Sequence, residues 1–347
     1  MRPISNASPK RRRQDAPSLR RSRASRSPLR RRLADAAPAL GHVVVAGASG
    51  LIGRALVASL RGDGVRVTRL VRRPAQSPDE VPWLLDSSVL DPDILAGADA
   101  VVGLNGASIG RMPWTARYRS TLLWSRLTPT RTLATAIRAL GSDAPALVSA
   151  SAVGYYGSAP GADLREDAAP GDTFLARLCA EWEASALSAG SQTRIALLRT
   201  APVIHAEGVL KPLLTLTRLG AGGPIGRGTQ VWPWISLTDE VRAIRHILDA
   251  EIDGPANLTG PTRATANDLG FALAVRMNKP YVFRAPRWAM RLALSRQAAD
   301  AVLLTDAHVI PAVLEASGFR FTHTTVDEAI ADAVPAHAFS DASSLSD

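Results

Sequence analysis

From residue 42 to about residue 200 the hydrophobic positions of the chain follow two alternating rhythms. Short apolar runs, unbroken or alternating, predict strands over 43–46, 65–71, 99–106 with a glycine turn at its end, 146–151 and 193–199. Between them, apolar residues recur three and four apart and predict helices from Leu51 to about Arg61, from Thr115 to Leu140 and from Phe174 to Ser188. Strands alternating with helices at this spacing imply an α/β fold with a parallel, doubly wound sheet. Ligands of such sheets bind outside the carboxyl ends of the strands, so Gly47, Arg72, Asn105 and Ser151 are expected to share one crevice.

From Pro202 on the pattern changes. Glycines cluster between Gly220 and Gly228, Trp232-Pro233-Trp234-Ile235-Ser236 follows, and a helix opens near Thr238-Asp239. The tryptophans suit a substrate pocket or a subdomain contact, and plain core packing equally well. Pro255 to Phe321 reads as short strands and helices without a motif. The expected organisation is a tail over 1–41, a body over 42–334 and a frayed end over 335–347. Within the body a sheet domain takes mainly 42–201 and a smaller C-terminal subdomain mainly 202–334.

The turn between the first strand and the first helix reads Gly47-Ala48-Ser49-Gly50-Leu51-Ile52-Gly53. Gly47 suits a tight turn, Gly50 lets backbone approach a phosphate, and Gly53 lets the helix pack hard on the strand. The helix N-terminus then offers free N–H groups and a partial positive charge to a pyrophosphate. The alternative is a turn with packing glycines and no ligand. The second strand ends in Arg72-Arg73-Pro74, where NAD-selective folds carry an acid for the ribose 2′-hydroxyl. Arginine there favours NADP; two solvated surface arginines are the alternative.

Charge sharpens this picture. Residues 1–40 hold eleven arginines and Lys10 against Asp15 and Asp35, so the whole formal charge of +10 lies there and the remainder is neutral. A neutral body argues against nucleic-acid binding by the folded part. The tail fits three readings: a solvated basic arm, an organelle transit peptide, or a start codon set too far upstream in a GC-rich genome. No run of 18 apolar residues exists, so no membrane span is expected. The lone Cys179 excludes an intramolecular disulfide and fits a reducing, cytoplasmic compartment. The six histidines show no metal-ligand spacing.

The segments GASGLIG (47–53), SASAVGYYG (149–157), LCAEWE (178–183), LLRT (197–200), GGPIGRG (222–228) and WPWISLTDE (232–240) occur in fixed order. With them the chain resembles the extended short-chain dehydrogenase/reductases, and more closely their atypical branch, the epimerase family, also labelled cell-division-inhibitor-like. The resemblance covers roughly 42–334. It implies a Rossmann NADP domain with a small C-terminal substrate subdomain, an unidentified small-molecule substrate, and compatibility with a homodimer. It places nucleotide contacts at Gly47, Ser49, Gly50, Leu51, Ile52 and Gly53, at Val71-Arg72, at Leu104-Asn105, at Arg126 of the Ser125-Arg126 pair, and at Val203. Where the family reads Asn-Leu-Ala-Gly, this chain reads Gly103-Leu104-Asn105-Gly106.

Catalysis departs further. The wider superfamily uses a tyrosine with a lysine four residues on as general acid/base. Here the residues four after Tyr118, Tyr155, Tyr156 and Tyr281 are Leu122, Ala159, Pro160 and Ala285. What remains is Ser151, at the superfamily's serine position, and Tyr155 or Tyr156 as a proton source; the alternative is a structural turn. A free phenol titrates near about 10, so it is a poor base but a serviceable acid at pH 7. Lys211 suits an anionic substrate or the surface, and Cys179 suits core packing. Two functions stand open: an NADP-dependent oxidoreductase or epimerase, and a non-catalytic NADP-binding sensor or partner module.

Overall fold

The computed structural model describes residues 40–335, apart from 87–88, 209 and 295–297. The tails expected at 1–41 and 335–347 fall almost wholly outside the described residues. In chain order the strands are β1 His42–Ala46, β2 Arg66–Val71, β3 Glu80–Pro82, β4 Ala100–Gly103, β5 Ala146–Ala152, β6 Asp163–Leu164, β7 Ile195–Thr200, β8 Val203–Ile204, β9 Ile235–Ser236, β10 Gly254–Leu258 and β11 His308–Val309. The helices are α1 Leu51–Gly62, α2 Ala116–Ala139, α3 Phe174–Leu187, α4 Leu210–Arg218, α5 Leu237–Asp249, α6 Ala266–Arg276, α7 Arg287–Leu294, α8 Ala312–Ala316 and α9 Val326–Ala333.

One sheet dominates, in the order β10-β7-β5-β4-β1-β2-β3. Every neighbouring pair in it is parallel. Successive side chains of a strand face opposite ways. Val43 and Val45 accordingly pack with Leu56 and Leu60 of α1 and with Ile244 and Ile247 of α5. Val44 and Ala46 pack with Leu133 and Ile137 of α2 and Ala186 of α3. Burial on both faces explains why β1 and β4 read as continuous apolar runs rather than as alternation. The strand order reverses beside β1, with β2 on one side and β4 on the other, which opens a crevice at their carboxyl ends.

Each strand and helix expected before residue 201 is present, with ends shifted by up to three residues. The division at 202 is less clean. After β8 and β9 the chain returns to the sheet through α5 and β10, and β10 becomes its edge. β10 is Gly-Pro-Ala-Asn-Leu, with no β-branched residue and with a proline that only an edge tolerates, so its pattern carries little strand signal.

A separate core holds the C-terminal part. Ile204, Leu210, Leu214, Leu269, Leu273 and Ile330 pack there with Trp232 and Trp234. Both indoles are buried, and each donates its N–H to a backbone carbonyl: Trp232 to Leu303 at 3.2 Å and Trp234 to Thr262 at 3.0 Å. Of the three readings of the tryptophans, core packing is the one the coordinates bear out.

Candidate functional site

Two of the three turn glycines are forced by packing. Gly47 has φ +85°, and a Cβ there would lie 2.7 Å from the Leu104 carbonyl carbon. A Cβ on Gly53 would lie 2.3 Å from the Gly47 carbonyl oxygen. Side chains at these positions would drive β1 from β4 and α1 from the turn. A Cβ on Gly50 would only graze Gly47 at 3.4 Å, so packing does not require that glycine. Gly50 is the N-cap of α1, and no side chain caps this helix and no acid lies in its first turn. By contrast Thr115, Thr173, Ser236, Thr265 and Thr325 each cap a helix with a side-chain hydrogen bond. The first-turn N–H groups of Leu51, Ile52 and Gly53 are thus left for an outside acceptor.

Around this N-terminus other predicted residues meet. The Leu104 N–H donates to the Ala46 carbonyl at 2.8 Å, which sets the end of β4 beside the turn. Asn105 follows, buried, and its Oδ1 has no hydrogen-bond partner among the described residues. Val203 opens β8, and the loop after it runs over α1, where a Cβ on Gly208 would lie 3.6 Å from Leu51. Arg54 of α1 straps this region, donating to the Ser49 carbonyl at 3.0 Å and to Glu207 at 2.8 Å.

The paired arginines after β2 part company. Arg73 is held bidentately by Glu80, at 2.8 and 2.7 Å, and donates to the Pro74 carbonyl. Arg72 is exposed and has no partner among the described residues. The charge available at this strand end is therefore Arg72 alone, next to Val71, whose carbonyl accepts from the Trp83 N–H at 3.0 Å. Arg126 is committed elsewhere. It donates to the carbonyls of Leu122 and Ala107 at 2.9 and 3.1 Å, with its guanidinium 5.1 Å from the Trp182 ring. Ser125 accepts from the Ala107 N–H at 2.9 Å, so the Ser125-Arg126 pair grips the loop after β4 from both sides. Burial lowers the pKa of Arg126, and among the described residues no carboxylate lies against it.

The turn after β5 carries a buried network. The Ser151 hydroxyl donates to Glu183 Oε1 at 2.7 Å. Arg199 holds both oxygens of Glu183, Nε to Oε1 at 2.9 Å and Nη2 to Oε2 at 3.0 Å. Its Nη1 donates to the Tyr156 hydroxyl at 2.8 Å and to the Glu166 carbonyl at 2.9 Å. The Tyr156 hydroxyl donates onward to Asn257 Oδ1 at 2.7 Å, and burial pushes its phenol above the ordinary value against the pull of Arg199. Tyr155 differs. Its ring lies with the Arg199 guanidinium 3.6 Å from its centroid, and its hydroxyl is bonded to no described group. Of the three candidate proton carriers, the hydroxyls of Ser151 and Tyr156 are therefore engaged within the fold, and that of Tyr155 bonds no described group.

Residues 43–258 match the NAD dependent epimerase/dehydratase family, and residues 285–333 match a domain of unknown function, DUF1731. The chain belongs to the NAD-dependent epimerase/dehydratase family. Within it, an epimerase family protein of Mycobacterium leprae is 40% identical over 291 residues, covering 83% of this chain and 94% of that one. The human epimerase family protein SDR39U1 is 31% identical, covering 84% of this chain and 99% of its own length. A crystal structure of human SDR39U1 with NADPH superposes with TM-score 0.77 at 31% identity, over 84% of this chain and 99% of that one. A nucleoside-diphosphate sugar epimerase from Corynebacterium glutamicum superposes with TM-score 0.69 at 30% identity, over 85% of this chain and 58% of that one.

In this epimerase/dehydratase chain the sequence reading missed Glu183, Arg199, Glu166 and Asn257, although LCAEWE and LLRT contain the first two. The available signal was a glutamate in one apolar segment and an arginine in another, since charges inside buried segments are nearly always paired. Phe174 packs edge-on to Trp114 at 6.0 Å, and Cys179 is buried with its thiol pushed up to about 12 by desolvation, so Phe174 offers no acid and Cys179 no nucleophile. Lys211 is exposed on α4. Among the described residues no cluster of metal-ligating side chains exists, and no helix is long and apolar enough to cross a membrane.

The family segment WPWISLTDE ends in a second unusual carboxyl. Glu240 on α5 is fully buried, accepts from the Thr200 hydroxyl at 2.8 Å, and has an Oε2 with no partner among the described residues. Burial raises its pKa to about 8, against 4.5 for the free acid. The folded state thus holds a proton that the unfolded chain releases above about pH 4.5. The resulting stabilisation is complete below that pH and is lost as pH rises through about 8. Relative to Glu240→Gln, the wild type should lose about 1.4 kcal/mol of stability per pH unit across this window. Urea unfolding of both proteins at several pH values checks this, and parallel profiles would contradict it.

Proposed function

We propose that the chain binds NADP(H) in the crevice beside β1 and acts as an oxidoreductase or epimerase on a small molecule. The observation that carries this reading is the N-terminus of α1, uncapped by any side chain and adjoining the unpartnered Oδ1 of buried Asn105. Both features call for a polar ligand: an anion for the N–H groups, a donor for the carbonyl oxygen. Arg72 extends the reading to a 2′-phosphate, as the unpaired member of its pair. The NADPH in the SDR39U1 crystal structure is consistent with it.

A bound nicotinamide would supply or take up a hydride. The chain's own part is to hold and to protonate. Gly47 and Gly53 let β1, β4 and α1 pack into the turn, the N–H groups at the start of α1 would hold the pyrophosphate, and Asn105 would orient a neighbouring donor. Tyr155 offers the proton, because its hydroxyl alone is uncommitted. Arg199, against the ring face, fixes the plane of that phenol. Ser151 and Tyr156 are positioning residues, acting through Glu183, Arg199 and Asn257 to hold the turn.

The rival reading is a non-catalytic NADP-binding module. It draws on the engagement of Ser151 and Tyr156 within the fold and on the missing tyrosine–lysine pair. NADPH consumption with panels of carbonyl compounds and sugar nucleotides separates the two. Turnover with one class supports the catalytic reading; tight NADPH binding with no turnover across both panels favours the rival.

A further inference from the structure

A second cavity, of about 130 Å³, lies where the turn after β5 meets the C-terminal part. Its walls include Ser158, Arg227, Gln230, Arg287, Leu304 and Asp306. About 10–15 Å³ of such space suffices for one water, so a carboxylate or phosphate with its carrier carbons has room here. Ser158 is three residues from Tyr155, which keeps their Cα atoms within about 11 Å at 3.8 Å per peptide. One wall of the cavity thus belongs to the same chain segment that carries Tyr155.

The walls are built and held. A bridge pairs Ile225 with Ala285, the Gly226 N–H donates to the Ala285 carbonyl at 3.0 Å, and the Ala285 N–H donates to the Pro224 carbonyl at 2.9 Å. Gly226 has φ +62°, and a Cβ there would lie 2.7 Å from Leu304 and 3.5 Å from Arg287. This fixes the start of α7 against the glycine-rich loop. Asp306 accepts from Arg227 at 2.7 Å and from the Val231 N–H at 3.0 Å, which commits both of its carboxylate oxygens. Arg287 has no partner among the described residues, so the cavity keeps one positive charge in excess.

Gln230 supplies the second, independent sign of a ligand. It is 2% exposed, and its Nε2 donates to the carbonyls of Ile225 and Leu303 at 2.9 and 3.2 Å. Both partners are acceptors only, so the amide's orientation is set by chemistry. Its Oε1 is left buried with no donor among the described residues. A buried acceptor without a partner is costly unless something donates to it.

We infer that this cavity binds the anionic end of the substrate: a carboxylate or phosphate on Arg287, with a neighbouring hydroxyl or amine donating to Gln230 Oε1. The substrate class is then a hydroxylated acid or a sugar phosphate rather than a neutral carbonyl compound. The assignment to substrate rests on the proposed function; the anion site itself does not.

The test uses the full chain and three probes of similar size: gluconate, glucose 6-phosphate and uncharged glucose. Binding is followed by calorimetry or chemical-shift titration in wild type and Arg287→Gln, with an NADPH titration of both proteins alongside. At least one anion should bind saturably and about tenfold or more tighter than glucose, the scale of one charge-assisted contact. Arg287→Gln, a change at an exposed position, should erase that preference and leave NADPH affinity as it was. Gluconate ahead of glucose 6-phosphate identifies a carboxylate site, and the reverse a phosphate site. No saturable anion binding, or equal binding in Arg287→Gln, overturns the inference and leaves the cofactor reading standing. Parallel loss of NADPH affinity in Arg287→Gln also overturns it, because the arginine would then serve the cofactor. Failure of wild type to bind NADPH with anion binding intact overturns the cofactor reading alone.

Discussion

Replacing Arg199 with methionine should lower the unfolding free energy by about 3–5 kcal/mol, the cost of breaking a buried ion pair from one side. Both partners lie inside the fold, Arg199 4% and Glu183 7% exposed. Without the guanidinium, the Glu183 carboxylate would keep only the Ser151 hydroxyl, and the Tyr156 hydroxyl and the Glu166 carbonyl would each lose a donor. The double variant Arg199→Met/Glu183→Leu should recover most of the loss, since an apolar pair of similar volume often replaces a buried ion pair at little cost. Urea unfolding of the singles and the double reads this coupling directly. A single variant within about 1 kcal/mol of wild type would contradict the network, as would a double variant that costs the sum of the two singles.

Tyr155→Phe should reduce kcat by about 10²–10⁴-fold in whatever reaction the substrate panels reveal, the usual range for losing a general acid. The variant keeps the ring over Arg199 and removes only a hydroxyl that bonds no described group. Stability and NADPH affinity should therefore stay near wild type. Tyr156→Phe should behave oppositely, costing stability through the lost contacts with Arg199 and Asn257. Steady-state kinetics beside unfolding curves of both variants separate the roles. Wild-type kcat in Tyr155→Phe would remove the phenol from the chemistry.

The sheet was legible because β1 and β4 are buried on both faces and so carry unbroken apolar runs. The glycine turn was legible because Gly47 and Gly53 are sterically compelled. β10 was not, since an edge strand of Gly-Pro-Ala-Asn-Leu lacks the residues that mark strands. After β2 the sequence shows two arginines, but it could not say that Glu80 neutralises Arg73 and leaves Arg72. Ser151 and Tyr156 show the same limit. Their hydroxyls look free in SASAVGYYG, and only the tertiary pairing with Glu183 and Asn257, 32 and 101 residues away, shows where they point. The two buried tryptophans equally gave no local sign of which side of the subdomain they would fill.

The central claim is that Arg72, beside an uncapped α1, selects NADP(H). The direct measurement is titration of NADPH and NADH into wild type and Arg72→Ala. Arg72 is exposed and has no hydrogen bond or ion pair among the described residues, so the substitution should leave folding intact. Wild type should prefer NADPH, and Arg72→Ala should bind it about tenfold or more weakly, the scale of a charge-assisted hydrogen bond, with NADH affinity unchanged. Equal NADPH affinity in the two proteins would contradict the account.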